Sequence, residues 1–396
     1  MSETFTKIAG FRFAGIAAGI KKNGKRDLGL IVADAPVNAA GVFTKNLVRA
    51  APVELSIERL KKSTKAQALL VNAGNANACT GAPGMKASLD SSASIAGALG
   101  VDAGLVLPSS TGVIGVPLPA EKIVSKADAL VAALSEDGAM DFAEAIMTTD
   151  RFPKTASARF NRQREEGAIF GVAKGAGMIH PDMATTLGFI LTDAAAPSSY
   201  LRAALRRVVD KTLNCVSVDG DTSTNDSFYL LASGRGMKLN DELSKRRFEE
   251  ALFKVLLSLG EQMVSDGEGA EHAVTIRVFA DTEKNAKRVA HAIGTSLLVK
   301  TALFGKDPNW GRIIAAAGRA GVRFDPAKAE VHIGGDRVFH RGLPTMDAAI
   351  EAKAAATMKT PRYEIKVRLG TGRAEAYIIT SDLGHGYVSV NADYRS

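Results

Sequence analysis

Lys174, the glycines Gly175 and Gly177, and the threonine pair Thr185 and Thr186 all fall in one short run, Lys174 to Phe189. Thr185 follows Ala184 and precedes the apolar segment Leu187 to Thr192, which ends at Asp193. A threonine hydroxyl is a poor nucleophile until a base takes its proton. Scission between Ala184 and Thr185 would supply that base on the same residue, because a free α-amine with a pKa of about 8 is partly neutral at mildly alkaline pH. Without a cut, a threonine opening a strand merely bonds nearby backbone.

Other groups fit the same chemistry. In Pro108 to Gly115 the hydroxyl of Thr111 and the amide of Gly112 stand side by side, a pair able to receive the oxyanion that acyl transfer creates; taken alone, the segment reads as a polar turn. Lys174 beside small residues is open to a ligand carboxylate, against the plainer reading of a solvated loop lysine. The glycine spacing lacks the Lys-Ser or Lys-Thr ending of a nucleotide loop. Asp219 to Asp226 resembles a calcium loop until its sixth position, Thr224, and its twelfth, Leu230, which should be glycine and glutamate; a polar network is expected there instead. None of the six histidines pairs with another at zinc spacing on one helix, so no metal is expected.

Apolar runs at Leu28 to Ala33, Gln67 to Val71 and Ala168 to Ala173 predict strands, and Ala120 to Ser135, Pro197 to Leu213 and Asp241 to Val264 predict helices. Further on, strands are expected at Val274 to Ala280, Glu364 to Leu369 and Ala374 to Thr380, with helices at Thr282 to Gly294 and Thr345 to Met358. The pattern is mixed α/β throughout, with a second α/β lobe at the C-terminal end.

The chain has 396 residues, 46% hydrophobic and 23% charged, an ordinary globular balance. A net charge of +8 is spread along the chain without a dense basic block, which argues for a solvated surface and against nucleic acid. Cys79 and Cys215 are too few for a disulfide framework and are expected to be reduced core residues. Neither a secretory apolar stretch nor a membrane-spanning one is visible, and a cytoplasmic location is expected.

The run around Thr185 resembles the self-cleavage signature of the ornithine acetyltransferases, the glutamate N-acetyltransferases of arginine biosynthesis. The likeness extends through Val71 to Gly81, Ser110 to Gly115, Met147 to Asp150, Asp219 to Asp226, Asp266 to Ala270, Val299 to Ala302, Asp307 to Arg312 and Asn391 to Tyr394. It implies an α+β layered sandwich of the ornithine acetyltransferase and aminopeptidase type. Its core lobe would combine residues 1–184 with 185–270, and 271–396 would form a smaller C-terminal α/β lobe whose tail returns to the active site. It also implies cleavage between Ala184 and Thr185, Thr185 as the acetyl carrier, and Thr111 with Gly112 as the oxyanion hole. Thr148, Lys174, Thr185, Glu268, Asn391 and Ser396 would contact an amino-acid substrate. No cofactor is implied beyond acetyl-CoA as an alternative acetyl donor, and the two fragments would assemble as α2β2.

Three departures stand out. Thr186 replaces the family's usual methionine, and alternation along the strand makes it a filler on the face away from the catalytic side. Glu271 and His272 replace threonine and lysine, a change of charge beside Glu268. Ser381 replaces the cysteine before Asp382 and Leu383. An amidohydrolase or aminopeptidase on the same scaffold and an unprocessed amino-acid-binding relative are the competing readings.

Overall fold

The computed structural model describes residues 6–180 and 186–392; Ala184, Thr185 and Ser396 lie outside them. The described strands are β1 (Phe11–Ile16), β2 (Leu28–Phe43), β3 (Lys65–Asn75), β4 (Val106–Val113), β5 (Lys154–Arg162), β6 (Glu165–Lys174), β7 (Leu187–Thr192), β8 (Val216–Ser217) and β9 (Ser227–Ala232). They continue with β10 (Ala273–Ala280), β11 (Ala329–Ile333), β12 (Asp336–His340), β13 (Leu343–Pro344), β14 (Arg362–Leu369) and β15 (Ala374–Ser381). The chain divides into two compact units: 1–214 with 222–260, and 215–221 with 261–396.

In the first unit the strand order is β4-β3-β2-β9-β7-β6-β5, with β1 added against β2. The pairs β3–β4 and β7–β9 are parallel and the others antiparallel. The unit draws on residues from both sides of position 185, since β6 and β7 are antiparallel neighbours with Lys174 opposite Leu187. The apolar run Gly167 to Ala173 of β6 and all of β7 are buried on both faces, as expected of continuous apolar strands between layers. Helices Ala51–Lys62 and Gly81–Leu99 pack against β4, and Ala139–Ala145 and Ser198–Lys211 against β2. Phe13, Phe142, Phe170, Phe189 and Tyr229 fill the core in edge-on, tilted and stacked pairs. Each such ring contributes about 1.5–3 kcal/mol by leaving water.

The second unit holds the order β13-β12-β11-β14-β10-β15-β8. Helix Glu283–Gly294 covers β10 and β15 with Ala286, Val289, Ala290 and Ile293, all buried at helical spacing.

Two expectations are corrected. The periodic stretch Ala120 to Ser135 forms two short helices, Ala120–Val124 and Ala127–Ala132. The break falls at Ser125, whose hydroxyl turns back onto the Lys122 carbonyl and so competes with the helix ladder. Cys79 is exposed, at a positive φ of 57°, and only Cys215 is a core residue.

Candidate active site

Lys174 ends β6 as a buried side chain, 9% exposed, and the solvated-loop reading therefore fails. Its ammonium donates to Thr111 Oγ1 at 3.0 Å and to Thr148 Oγ1 at 2.8 Å. These residues are 63 and 26 positions from it in sequence, so the grouping is a product of the sheet. β4 and β6 lie five places apart in that sheet, and at about 4.8 Å per place a flat sheet would separate them by about 24 Å. A lysine cannot span that distance, so the sheet is strongly coiled on this side. The register shift at Gly74 and Asn75 marks a local bend in β3, beside the end of β4.

Gly112 is next to Thr111 with φ at +134°, and a Cβ there would run into the backbone of Gly74. Gly112→Ala is expected to cost about 1–3 kcal/mol in backbone strain alone, more with the collision. A lowered melting temperature together with slower turnover checks this, and a variant melting like the parent would refute it. Asn225 holds the same corner, donating to the carbonyls of Ala76 (2.6 Å) and Ser110 (2.8 Å).

Behind Lys174 lies a charge cluster that the sequence pattern did not single out. Asp150 is fully buried and binds Lys154 Nζ at 2.6 Å, itself fully buried, with Lys174 Nζ 4.0 Å away. It also accepts the amides of Thr148 (2.9 Å) and Gly175 (2.7 Å). Burial alone would raise its pKa, but the charges of Lys174 and Lys154 and these hydrogen bonds hold it well below the carboxylate range. It is therefore a fixed anion that locates the ammonium and the Thr148 backbone together. Lys21 is nearby in electrostatic terms: burial lowers its pKa to about 8 against the pull of Asp27, and Lys174 adds to the lowering. The i, i+4 spacing of Asp150 and Lys154 was the available signal, but in sequence it resembles an ordinary surface pair.

Thr186 departs from its expected role. It is 7% exposed and lines a small cavity with Thr111, Lys174 and Asp226, whereas alternation had turned it away. A wider surface cleft of about 930 Å³, lined by Tyr200, Arg207 and Glu249, contains none of the predicted site residues.

In the second unit Glu268 Oε2 accepts from Asn391 Nδ2 at 2.8 Å, so these two predicted residues are in contact. Glu271 pairs with Lys306 at 2.9 Å, which offsets its added negative charge. His272 Nδ1 lies 3.1 Å from Asp382 Oδ2, while Asp382 Oδ1 accepts the amides of Glu271 and His272. Glu271, His272 and Asp382 bring possible ligand atoms within 4.8 Å of one another, but the lysine and amide partners already account for their placement. Lys300 is buried, with its pKa lowered to about 8 by desolvation against the pull of Asp382 and Asp219, and bonds Thr380 and Ser381. Among the described residues no helix is long and apolar enough to cross a membrane.

A layered α/β scaffold that gathers a buried ammonium, a threonine hydroxyl and a glycine-only corner beside Thr186 fits an acyl-transferring enzyme. Comparison with known proteins makes the class specific: a model of the ArgJ family matches residues 12–396. The chain belongs to the ArgJ family. The Arginine biosynthesis bifunctional protein ArgJ of Syntrophotalea carbinolica is 45% identical over 397 residues, covering 98% of this chain and 100% of that protein. The protein of the same name from Symbiobacterium thermophilum is 44% identical, covering 99% and 98%. Among solved structures, ornithine acetyltransferase complexed with ornithine from Mycobacterium tuberculosis is 36% identical, with a TM-score of 0.40, covering 45% of this chain and 94% of that one.

Proposed function

We propose that this chain cuts itself between Ala184 and Thr185 and then carries the acetyl group of N-acetylornithine to glutamate on the Thr185 hydroxyl. Family membership along nearly the whole chain supports an acetyltransferase of arginine biosynthesis. The observation that carries the site is Lys174, bound to the Thr111 and Thr148 hydroxyls and opposite Leu187, two residues after Thr185.

The free α-amine of Thr185 takes the hydroxyl proton as Oγ attacks the acetyl carbonyl. Thr111 Oγ1 accepts from Lys174, which leaves its own O–H as a donor toward the oxyanion beside the Gly112 amide. The tetrahedral adduct collapses by breaking the C–N bond, and ornithine leaves with the proton. The glutamate amine then attacks the acetyl ester, and Thr185 Oγ recovers its proton. Lys174 is proposed to bind the substrate carboxylate and Glu268 its amino group, with Thr148, Asn391 and Ser396 as the remaining substrate contacts. Fragments 1–184 and 185–396 would remain assembled, as α2β2 and in the cytoplasm.

Brief exposure to N-acetylornithine, followed by denaturation and intact-mass measurement, tests this reading. Two fragments with one acetyl group on the 185–396 fragment are expected. A single full-length mass would remove both the processing and the covalent route. Acetyl-CoA as a second donor is part of the same proposal: N-acetylglutamate made from acetyl-CoA and glutamate alone is the expected result, and zero turnover would restrict the enzyme to one donor.

A further inference from the structure

The cavity that Thr186 shares with Thr111, Lys174, Ser223, Asn225 and Asp226 has a volume of about 30 Å³. Two polar atoms of its lining residues, Thr186 Oγ1 and Asp226 Oδ2, are buried without a hydrogen-bond partner among the described residues. The residues themselves are 7% and 2% exposed. β7 and β9 pair Leu187 with Ser227 in parallel register, and the Thr186 carbonyl accepts from the Ser227 amide at 3.0 Å. Thr186 and Asp226 are thus neighbours at the entry to adjacent strands, one residue from the Thr185 position.

A buried polar atom left unpaired costs about 1–3 kcal/mol, and two in one small cavity call for a shared partner. A space of about 10–15 Å³ is enough to hold one water, which needs at least two polar contacts. We propose that Thr186 and Asp226 seat one water in this cavity, and that this water is the nucleophile that resolves the ester formed during self-cleavage. The proposal rests on the self-cleavage reading above and adds the source of its second step.

Burial raises the Asp226 carboxyl well above the ordinary carboxylate range, against its bonds to Ser223 and the charge of Lys174. Its part is to hold the water in place with Thr186, and the base is the amine that the acyl shift releases. The acyl shift moves the Ala184 carbonyl carbon from the Thr185 nitrogen to Thr185 Oγ, and the hydroxyl proton passes to the released amine. Water then adds to the ester carbonyl and gives one proton to that amine. The C–O bond breaks, the amine returns the proton to Oγ, and a carboxylic acid remains on Ala184. One water is consumed and all atoms balance.

The full chain, purified immediately after synthesis, is incubated at neutral pH with and without hydroxylamine and followed by intact mass. Thr186→Val and Asp226→Leu are expected to slow cleavage in water about tenfold or more, the scale of one lost hydrogen bond to a reacting group. Hydroxylamine, an alternative nucleophile, is expected to release the fragments from both variants with a hydroxamate on Ala184. Thr186→Ser restores the hydroxyl and is expected to cleave at the parent rate, which separates this role from a packing defect. Variants cleaving like the parent in water would overturn the water site and leave self-cleavage standing, as would variants that stay whole even with hydroxylamine, because they would then act before the ester. A parent chain that stays whole in water would overturn the self-cleavage reading itself.

Discussion

Lys174→Met is expected to lower kcat for acetyl transfer about 10²- to 10³-fold, the usual consequence of losing one preorganised donor at an oxyanion site, while the chain still folds. Methionine keeps most of the unbranched stem, so packing at this 9% exposed position changes little. The ammonium bonds to Thr111 Oγ1 and Thr148 Oγ1 are lost. Thr111 is then free to rotate, and its hydroxyl is no longer turned and polarised for the developing charge. Asp150 keeps Lys154 and two amide donors, so its charge remains compensated and the stability loss stays modest. Steady-state kinetics with N-acetylornithine and glutamate distinguish the roles. A fall in kcat places Lys174 in the transition state, whereas a rise in KM alone would reduce it to a carboxylate anchor. An unchanged kcat and KM would remove it from the site. Self-cleavage, which develops the same kind of oxyanion, is expected to slow in parallel.

The sequence announced the strands that flank this site more clearly than the charges that hold it. β6 and β7 were legible because residues buried on both faces must be apolar in an unbroken run, as Gly167 to Ala173 and Leu187 to Leu191 are. Thr111 and Lys174 were legible as weak local signals and Thr148 only through the family resemblance, since their meeting depends on the coiling of a sheet that no local pattern encodes. Asp150 and Lys154 escaped because four-residue spacing looks alike on a solvated helix and in a sealed core. Asp226 escaped because its role depends on burial, which a run as polar as Asp219 to Asp226 conceals. Thr186 was misplaced because alternation holds only within a strand, and β7 begins at Leu187.

Asp150→Asn is expected to be the more damaging change to the fold, costing roughly 3–5 kcal/mol, because breaking a buried ion pair strands the remaining charge. Asparagine keeps the shape but leaves the Lys154 ammonium, fully buried, without its carboxylate. The pH dependence identifies the cause. Burial would raise the pKa of Asp150, but Lys174 and Lys154 prevail and hold it below the unfolded value, which is about 3.9. Its contribution is therefore complete above the unfolded pKa and lost as pH falls through the folded one. Urea unfolding at pH 7 and at pH 3 and below should show the gap between parent and variant narrowing on acidification. A gap that stays constant would mean the loss comes from geometry and not from charge. Because the same carboxylate accepts the amides of Thr148 and Gly175, which flank Lys174, turnover is expected to fall even at temperatures where the variant remains folded. That coupling follows from one buried anion serving both the core and the site: weakening it loosens the frame that aims Lys174 before the fold itself gives way.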